Sequence, residues 1–529
     1  MLNTPRACRG MVTSPHHLAS QSGLAILRDG GTAIEAAVAM AAALSVVYPH
    51  MTGIGGDAFW LLAEPGREPI GIDACGASGR GVSIDLYRDA NFERIPWRGP
   101  LAANTVAGAV SGWQAALRIN AAWGGRLPLD RLLADAIAYA ETGAPITAGQ
   151  AIALRQTAAE LAAGPAIASA FLSHLALVNE GALLRQPALA ATMRALVRDG
   201  LDSFYRGRVG QLITQDLADA GSPLVGEDLA SHQAASTVPL SVSLRNARVY
   251  NLDAPTQGVV SLMILGCFDR LSVARADGFD HIHSLVEATK KAFHVRDREI
   301  GDPAVTGSDL GRLLSPERLD SVAHSIDRAR ATPWHGPSYG GDTVWFGVID
   351  QAGRAVSAIQ SLYFDFGSGI ALPQTGIIWQ NRGSSFALEG PSPNVLTPRR
   401  KPFHTLNPAM ARFADGRTMV YGTMGGDGQP QTQAAVFTRY AMFGHELQAA
   451  VTAPRWLLGR TVGEQTNHLR IENRFEADVI EALEHAGHLV QRVEPFNSSM
   501  GHAGAVVRGA NSIFEAACDP RSDGAALGW

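Results

Sequence analysis

Cysteine is scarce in this chain. Cys8, Cys75, Cys267 and Cys518 are the only four in 529 residues, and none has paired or metal-type spacing. A disulfide framework is therefore not expected. Charge is sparse as well: charged residues make up 18% of the chain, the formal net charge is −5, and Lys and Arg form no block on any segment. The electrostatic footprint of a nucleic-acid-binding protein is missing. Long apolar runs are also lacking. The stretch from Ala36 to Tyr48 falls well short of the ~20 residues a membrane-spanning helix needs. The opening MLNTPRACRGMVTSPHHLAS carries no apolar core of a secretory signal. A cytoplasmic protein with no membrane partner is expected.

The chain is 46% apolar, which suits an enzyme-sized globular fold. Its first third reads as helices with Gly-rich turns. AIEAAVAMAAALSVVY can form a buried helix, and AFWLL after MTGIGGD reads as a buried strand. RLLADAIAYAETG places Leu133, Ile137 and Ala140 on one helical face, with Gly143 as its stop. From Gln150 to Asp327 the pattern stays mainly helical. The texture changes near residue 331, where ATPWHGPSYGGD is rich in Pro, Gly and Ser. TVWFGVID–QAG–RAVSAIQS then reads as a β-hairpin, and GAVVR–GAN–SIFEA near the C-terminus as another. EADVIEALEHAG between them is an amphipathic helix stopped by Gly487. This order supports an α+β or layered α/β fold.

Chemistry is most plausible where the loop meets the strand, at Gly340-Gly341-Asp342-Thr343-Val344. Were the Asp342–Thr343 bond cut, Thr343 would carry a hydroxyl nucleophile and a free α-amine. An α-amine has a pKa of about 7.7–8.0, so it can serve as a base near neutrality without histidine. On those residues alone, a β-branched residue opening a strand is the ordinary reading. In TMVYGTMGGDGQPQT a strand runs into Gly425 and Gly426, whose bare N–H groups suit an oxyanion hole or a plain turn. The Walker pattern is not met, because Asp427 and Gln429 follow glycines where Lys and Ser/Thr would be needed. MTGIGGDAF lacks the dinucleotide fingerprint and reads as a structural turn beneath a pocket. His485 and His488 straddle a helix end and read as solvated rather than metal-binding; His16-His17 and His281/His283 are no better placed. Cys75 reads as an inert buried thiol. No metal and no organic cofactor are expected.

Taken in order, GIGGDAF, NTVAGAVSGW, YNLDAPTQGVV, HSLVEATKKAF…DREIGDP, GGDTVWFGVIDQAGRAVS, FGSGI…TGIIWQNRGSSF, KPFHTLNPAM and GTMGGDGQPQT resemble the γ-glutamyltranspeptidase family of N-terminal-nucleophile hydrolases. The resemblance runs over nearly the whole chain. It implies an αββα four-layer sandwich and a proenzyme that cuts itself before Thr343. Residues 1–342 would form a large fragment and 343–529 a small one, held together as one composite unit. The heterodimer, or a dimer of such heterodimers, would be the assembly. The resemblance also places Ser361 where the family has a threonine that orients the nucleophile, and Gly425 and Gly426 on the oxyanion-hole glycines.

The residues that would read the substrate differ from the family's pattern. Where an Arg precedes an "AP" motif, this chain has Ala74, or Cys75 if the alignment slips by one. The positions that read the glutamyl amino group hold Tyr363, Arg382 and Ser385, and the two carboxylate-binding serines become His404 and Thr405. A guanidinium in place of amide and acid acceptors repels an ammonium group, which argues against a γ-glutamyl substrate. Arg382 suits a carboxylate instead. The phrasing DTVW…QNRG…GGDGQPQTQ resembles the oxamate-splitting members of the family. The expected reaction is therefore oxamate to oxalate and ammonia through an acyl-threonine. A γ-glutamyltransferase or glutathione hydrolase, a broader acylase, and an inert small-acid-binding protein are the alternatives.

Overall fold

The computed structural model describes residues 3–172, 179–336, 341–459 and 466–529. Two seven-stranded sheets form its centre. In chain order their strands are β1 (Arg6–Ala7), β2 (Gly10–Ser14), β3 (Asp57–Ala63), β4 (Ile70–Ala74), β5 (Ala235–Thr237), β6 (Leu240–Ser243), β7 (Ala247–Asn251), β8 (Asp342–Asp350), β9 (Ala355–Tyr363), β10 (Ala409–Phe413), β11 (Thr418–Gly422), β12 (Gly504–Arg508), β13 (Phe514–Cys518) and β14 (Ala525–Gly528). One sheet runs β1-β13-β12-β11-β10-β7-β6 and the other β14-β2-β8-β9-β3-β4-β5.

Strand alternation builds the layers. On β8, Val344, Phe346 and Val348 face a helical core, while Trp345 and Ile349 turn toward the other sheet. The same period of two sends Ala58, Trp60 and Leu62 of β3 to the helices, and Phe59 and Leu61 to the inter-sheet space. Both faces of these strands are covered, so they read as continuous apolar runs rather than alternating ones. Trp345 is the largest side chain between the sheets. A Cβ on Gly422 or Gly504 would overlap its ring, so these two strands carry glycine where they pass it.

The outer layers are helical. The Ala-rich helix α1 (Ala33–Val47) is buried on every side and opens with a Thr32/Glu35 capping box, as an all-round apolar helix with a capped start should. On the far side, α2 (Gly258–Phe268) and α3 (Phe279–Glu299) pack over the other sheet, the one that holds β7 and β10–β13. The order is helix, sheet, sheet, helix, which is the αββα sandwich. Both expected hairpins are present, as β8–β9 and β12–β13. The reading of residues 150–327 as mainly helical misses β5, β6 and β7, short strands toward the sheet margins. Among the described residues no helix is long and apolar enough to cross a membrane. Strand β8 lies between β2 and β9, and β9 pairs with β3. Strands from either side of Thr343 are thus interleaved in one sheet.

Candidate active site

The β8–β9 hairpin sets the position of Thr343. Asp342 pairs with Tyr363 and Val344 with Gln360, leaving Thr343 opposite both Ser361 and Leu362 in an irregularity of the ladder. Such a bulge re-aims a side chain at a strand end. Thr343 is buried, and its hydroxyl donates to Ser361 Oγ at 3.3 Å. The Ser361 hydroxyl in turn donates to the Asp342 carbonyl oxygen at 2.5 Å and accepts the Tyr363 N–H at 2.8 Å. One serine therefore touches the hydroxyl after the Asp342–Thr343 bond and the carbonyl within it. Gly341 sits at φ +143 with the Tyr363 ring against it, a backbone conformation and a close approach that suit glycine. Gly340 lies outside the described residues.

The structure brings Tyr363, Arg382, His404 and Thr405 together. Arg382 opens a short 3-10 turn and is 1% exposed. Its guanidinium lies over the Tyr363 ring at 3.7 Å, and Nη1 reaches Thr405 Oγ1 at 3.4 Å. Tyr363 holds this position at φ +83, an unusual conformation for a bulky residue. Arg382 Nη2 is buried without a hydrogen-bond partner among the described residues. Burial lowers the Arg382 pKa to about 10, with Tyr363 and Asp57 opposing the shift. Ser385 does not join this group through its hydroxyl, which donates to the Phe403 carbonyl at 3.3 Å.

The cluster holds one acid, Asp57, from the MTGIGGDAF segment expected to be a structural turn. Asp57 starts β3 and pairs across the sheet with Ser361. Its Oδ1 accepts the N–H groups of Gly76 and Gly108 at 3.0 and 3.1 Å, and its Oδ2 lies 3.3 Å from His404 Nε2. Burial raises the Asp57 pKa to about 7, against the pull of the Gly76 N–H and Arg382. Burial, followed by the charges of Arg382 and Lys401, keeps His404 neutral. A carboxylate at the mouth of an otherwise apolar strand, directly after two glycines, was the available signal. Cys75 is buried and its thiol is pushed well up by burial and by Asp73, which keeps it inert. Ala74 is the last residue of β4.

Gly425 and Gly426 lie between β11 and the helix α4 (Gly428–Phe437), at φ +118 and +50. The Gln257 side-chain amide donates to the carbonyls of Gly426 and Thr405, at 2.9 and 2.7 Å. Gln257 was missed in the sequence, and it links the glycine turn to the Arg382 pocket. A cavity of 340 Å³ is walled by both Asp342 and Met424, the residues that precede Thr343 and Gly425 in the chain. Asp365 faces Asp342 there. Burial and then the Asp365 charge push the Asp342 carboxyl well above the usual carboxylate range, while burial raises Asp365 to about 6 against the pull of Arg98 and of its hydrogen bond with Asp342, so the pair tends to hold a proton.

One buried group has the geometry of a metal site. Ligand atoms of His283, Glu287 and His488 lie within 4.8 Å of one another. Hydrogen bonds account for it without an ion. His283 Nδ1 is 2.9 Å from His488 Nε2, its Nε2 is 2.8 Å from the Asp327 carbonyl, and Lys290 Nζ pairs with Glu287 at 2.7 Å. The expectation that His488 is solvated is therefore wrong: it is buried against a helix 205 residues earlier in sequence.

Known proteins share this architecture. The family model described as Gamma-glutamyltranspeptidase matches residues 19–529. The chain is 53% identical to an oxamate amidohydrolase proenzyme of Klebsiella pneumoniae, with 98% of each chain covered. It is 39% identical to a glutathione hydrolase-like proenzyme of Bacillus subtilis, again with 98% of each covered. A crystal structure of cephalosporin acylase from Bacillus halodurans superposes with a TM-score of 0.90 at 31% identity, covering 100% of this chain and 97% of that one. The chain belongs to the gamma-glutamyltranspeptidase family and is an amidohydrolase of the N-terminal-nucleophile type.

Proposed function

We propose that the chain cuts itself between Asp342 and Thr343, and that the matured enzyme hydrolyses oxamate to oxalate and ammonia. The observation that carries the substrate reading is Arg382: a fully buried guanidinium, stacked on Tyr363, with Nη2 lacking a partner among the described residues. A buried donor left unsatisfied is costly, and a small carboxylate satisfies it with two parallel hydrogen bonds. The same charge repels the ammonium of a γ-glutamyl group. The 53% identity to an oxamate amidohydrolase proenzyme supports the same reading.

In the uncut chain, Thr343 Oγ attacks the Asp342 carbonyl carbon while Ser361 donates to the carbonyl oxygen. The acyl group moves from nitrogen to oxygen, and water hydrolyses the ester. Residues 1–342 and 343–529 then remain one heterodimer through the interleaved strands β2, β8, β9 and β3. In the matured enzyme Arg382 and Thr405 hold the substrate carboxylate, and Thr343 Oγ attacks the amide carbon. The Thr343 amine takes the hydroxyl proton and passes it to the departing ammonia. The N–H groups of Gly425 and Gly426 hold the oxyanion. Water then releases oxalate. We place the enzyme in the cytoplasm.

The test is a product assay on matured protein. The reading expects ammonia and oxalate from oxamate in equal amounts, with little release from glutamine or a γ-glutamyl anilide. Release from the γ-glutamyl amides but not from oxamate overturns it.

A further inference from the structure

Asp57 stands in the substrate pocket without a role in the chemistry above. It lies on the rung of the sheet that also carries Ser361, and its Oδ1 is fixed by two backbone N–H groups. Its Oδ2 faces His404 and takes no hydrogen bond among the described residues. We propose that Asp57 is a specificity-determining residue that takes up a proton when a carboxylate-bearing substrate pairs with Arg382, so that the pocket exchanges its own negative charge for that of the ligand. This inference rests on the carboxylate reading of Arg382 and deepens it.

Charge balance is the reason. In the empty pocket the Arg382 cation and an ionised Asp57 nearly cancel. A substrate carboxylate on Arg382 would leave two anions and one cation in a site closed to water, which is costly. A proton on Asp57 restores neutrality. Burial already brings Asp57 to a pKa of about 7, so this uptake demands little near neutral pH. The surrounding side chains offer no other easy proton acceptor, and the Thr343 α-amine of the matured enzyme is common to wild type and Asp57→Asn, so their difference isolates Asp57. His404 is kept neutral by burial, Arg382 and Lys401. Tyr205 and Cys75 are held protonated by burial. Lys401 is committed to Asp73 at 2.6 Å. A γ-carboxamide that brings no anion into the pocket gains nothing from the exchange, so the device favours small acids over neutral amides.

The experiment measures the KM of matured enzyme for oxamate between pH 6 and 9, in wild type and in Asp57→Asn. Asparagine keeps the acceptor for Gly76 and Gly108. Wild-type KM is expected to rise roughly tenfold per pH unit above ~7. The variant's KM is expected to change less than ~3-fold over the same range, while the kcat profile, set by the Thr343 amine, keeps its shape. Calorimetry of wild-type enzyme with glycolate, a small carboxylate that cannot be hydrolysed, in two buffers of different ionisation enthalpy counts protons without any variant. Uptake of close to one proton per glycolate at pH 8 is expected. Binding without uptake, or an unchanged KM slope in Asp57→Asn, overturns the role of Asp57 and leaves the substrate reading standing. Failure of both oxamate and glycolate to bind at any pH overturns the carboxylate reading itself, and this inference with it.

Discussion

The Ser361 hydroxyl lies between the Thr343 hydroxyl, 3.3 Å away, and the Asp342 carbonyl oxygen, 2.5 Å away. It accepts from the first and donates to the second, so a single side chain touches both groups that the proposed self-cleavage would join. The Tyr363 N–H fixes its remaining lone pair. Because β3 pairs with β9 on the same rung, Asp57 of the substrate pocket is only one strand away.

Ser361→Ala removes the donor to the Asp342 carbonyl. Self-cleavage is expected to slow by about 10²–10³-fold, the usual loss for one oxyanion donor. Ser361→Thr keeps the hydroxyl and should stay within about tenfold of wild type. A time course of band splitting on denaturing gels, started from freshly made precursor, measures both.

Arg382→Gln takes the cation from the pocket and from the Tyr363 ring, but leaves the Ser361 hydrogen bonds to Thr343 and Asp342 in place. Self-cleavage should proceed, while kcat/KM for oxamate falls by roughly 10²–10³-fold, as expected when one partner of a buried, hydrogen-bonded charge pair is lost. Steady-state kinetics on the split protein measure it. A loss below tenfold would remove Arg382 from carboxylate binding.

The raised Asp57 pKa makes stability depend on pH, with a definite sign. A carboxyl whose folded-state pKa lies above its unfolded value favours the folded state most when protonated. Its contribution is therefore lost as pH climbs from about 4 through about 7. Taken in full, that loss approaches roughly 4 kcal/mol in the alkaline limit. Asp57→Asn should match wild type in thermal unfolding near pH 4 and exceed it at pH 8. Identical melting curves for the two proteins at pH 8 would contradict the buried, charge-straining environment described for this residue.

Much of this fold could be read from the order of apolar runs and glycines. The β8–β9 hairpin shows as two β-rich runs around QAG, and α1 as an apolar run too short for a membrane. Local pattern could not reveal what depends on cross-strand register. Asp57 looked like part of a Gly-rich turn because its significance comes from pairing with Ser361, 304 positions later in the chain. His488 looked solvated because the sequence shows only its helix end, not the His283 ring that covers it. Gln257 lies within the YNLDAPTQGVV run, but nothing in that run singles it out; its amide matters because folding brings two carbonyls from distant loops within its reach. Arg382 was found as a substitution, but the Tyr363 ring beneath it follows from a positive φ that sequence does not announce.

The Trp345 contact gives a purely structural check. Gly422→Ala would push a methyl group into the Trp345 ring between the sheets. Overpacking of that kind costs typically about 1–3 kcal/mol. Chemical denaturation should show a lower midpoint, with self-cleavage also slowed because Trp345 lies two residues from Thr343.

The proposed chemistry requires Thr343 to become an amino terminus that supplies both nucleophile and base. Intact mass measurement of active protein, beside Thr343→Ala, tests it most directly. Two species are expected in the active preparation, residues 1–342 and 343–529, and a single inert chain in the variant. Turnover of substrate by a chain that stays whole, or a small fragment beginning at any other residue, would contradict it.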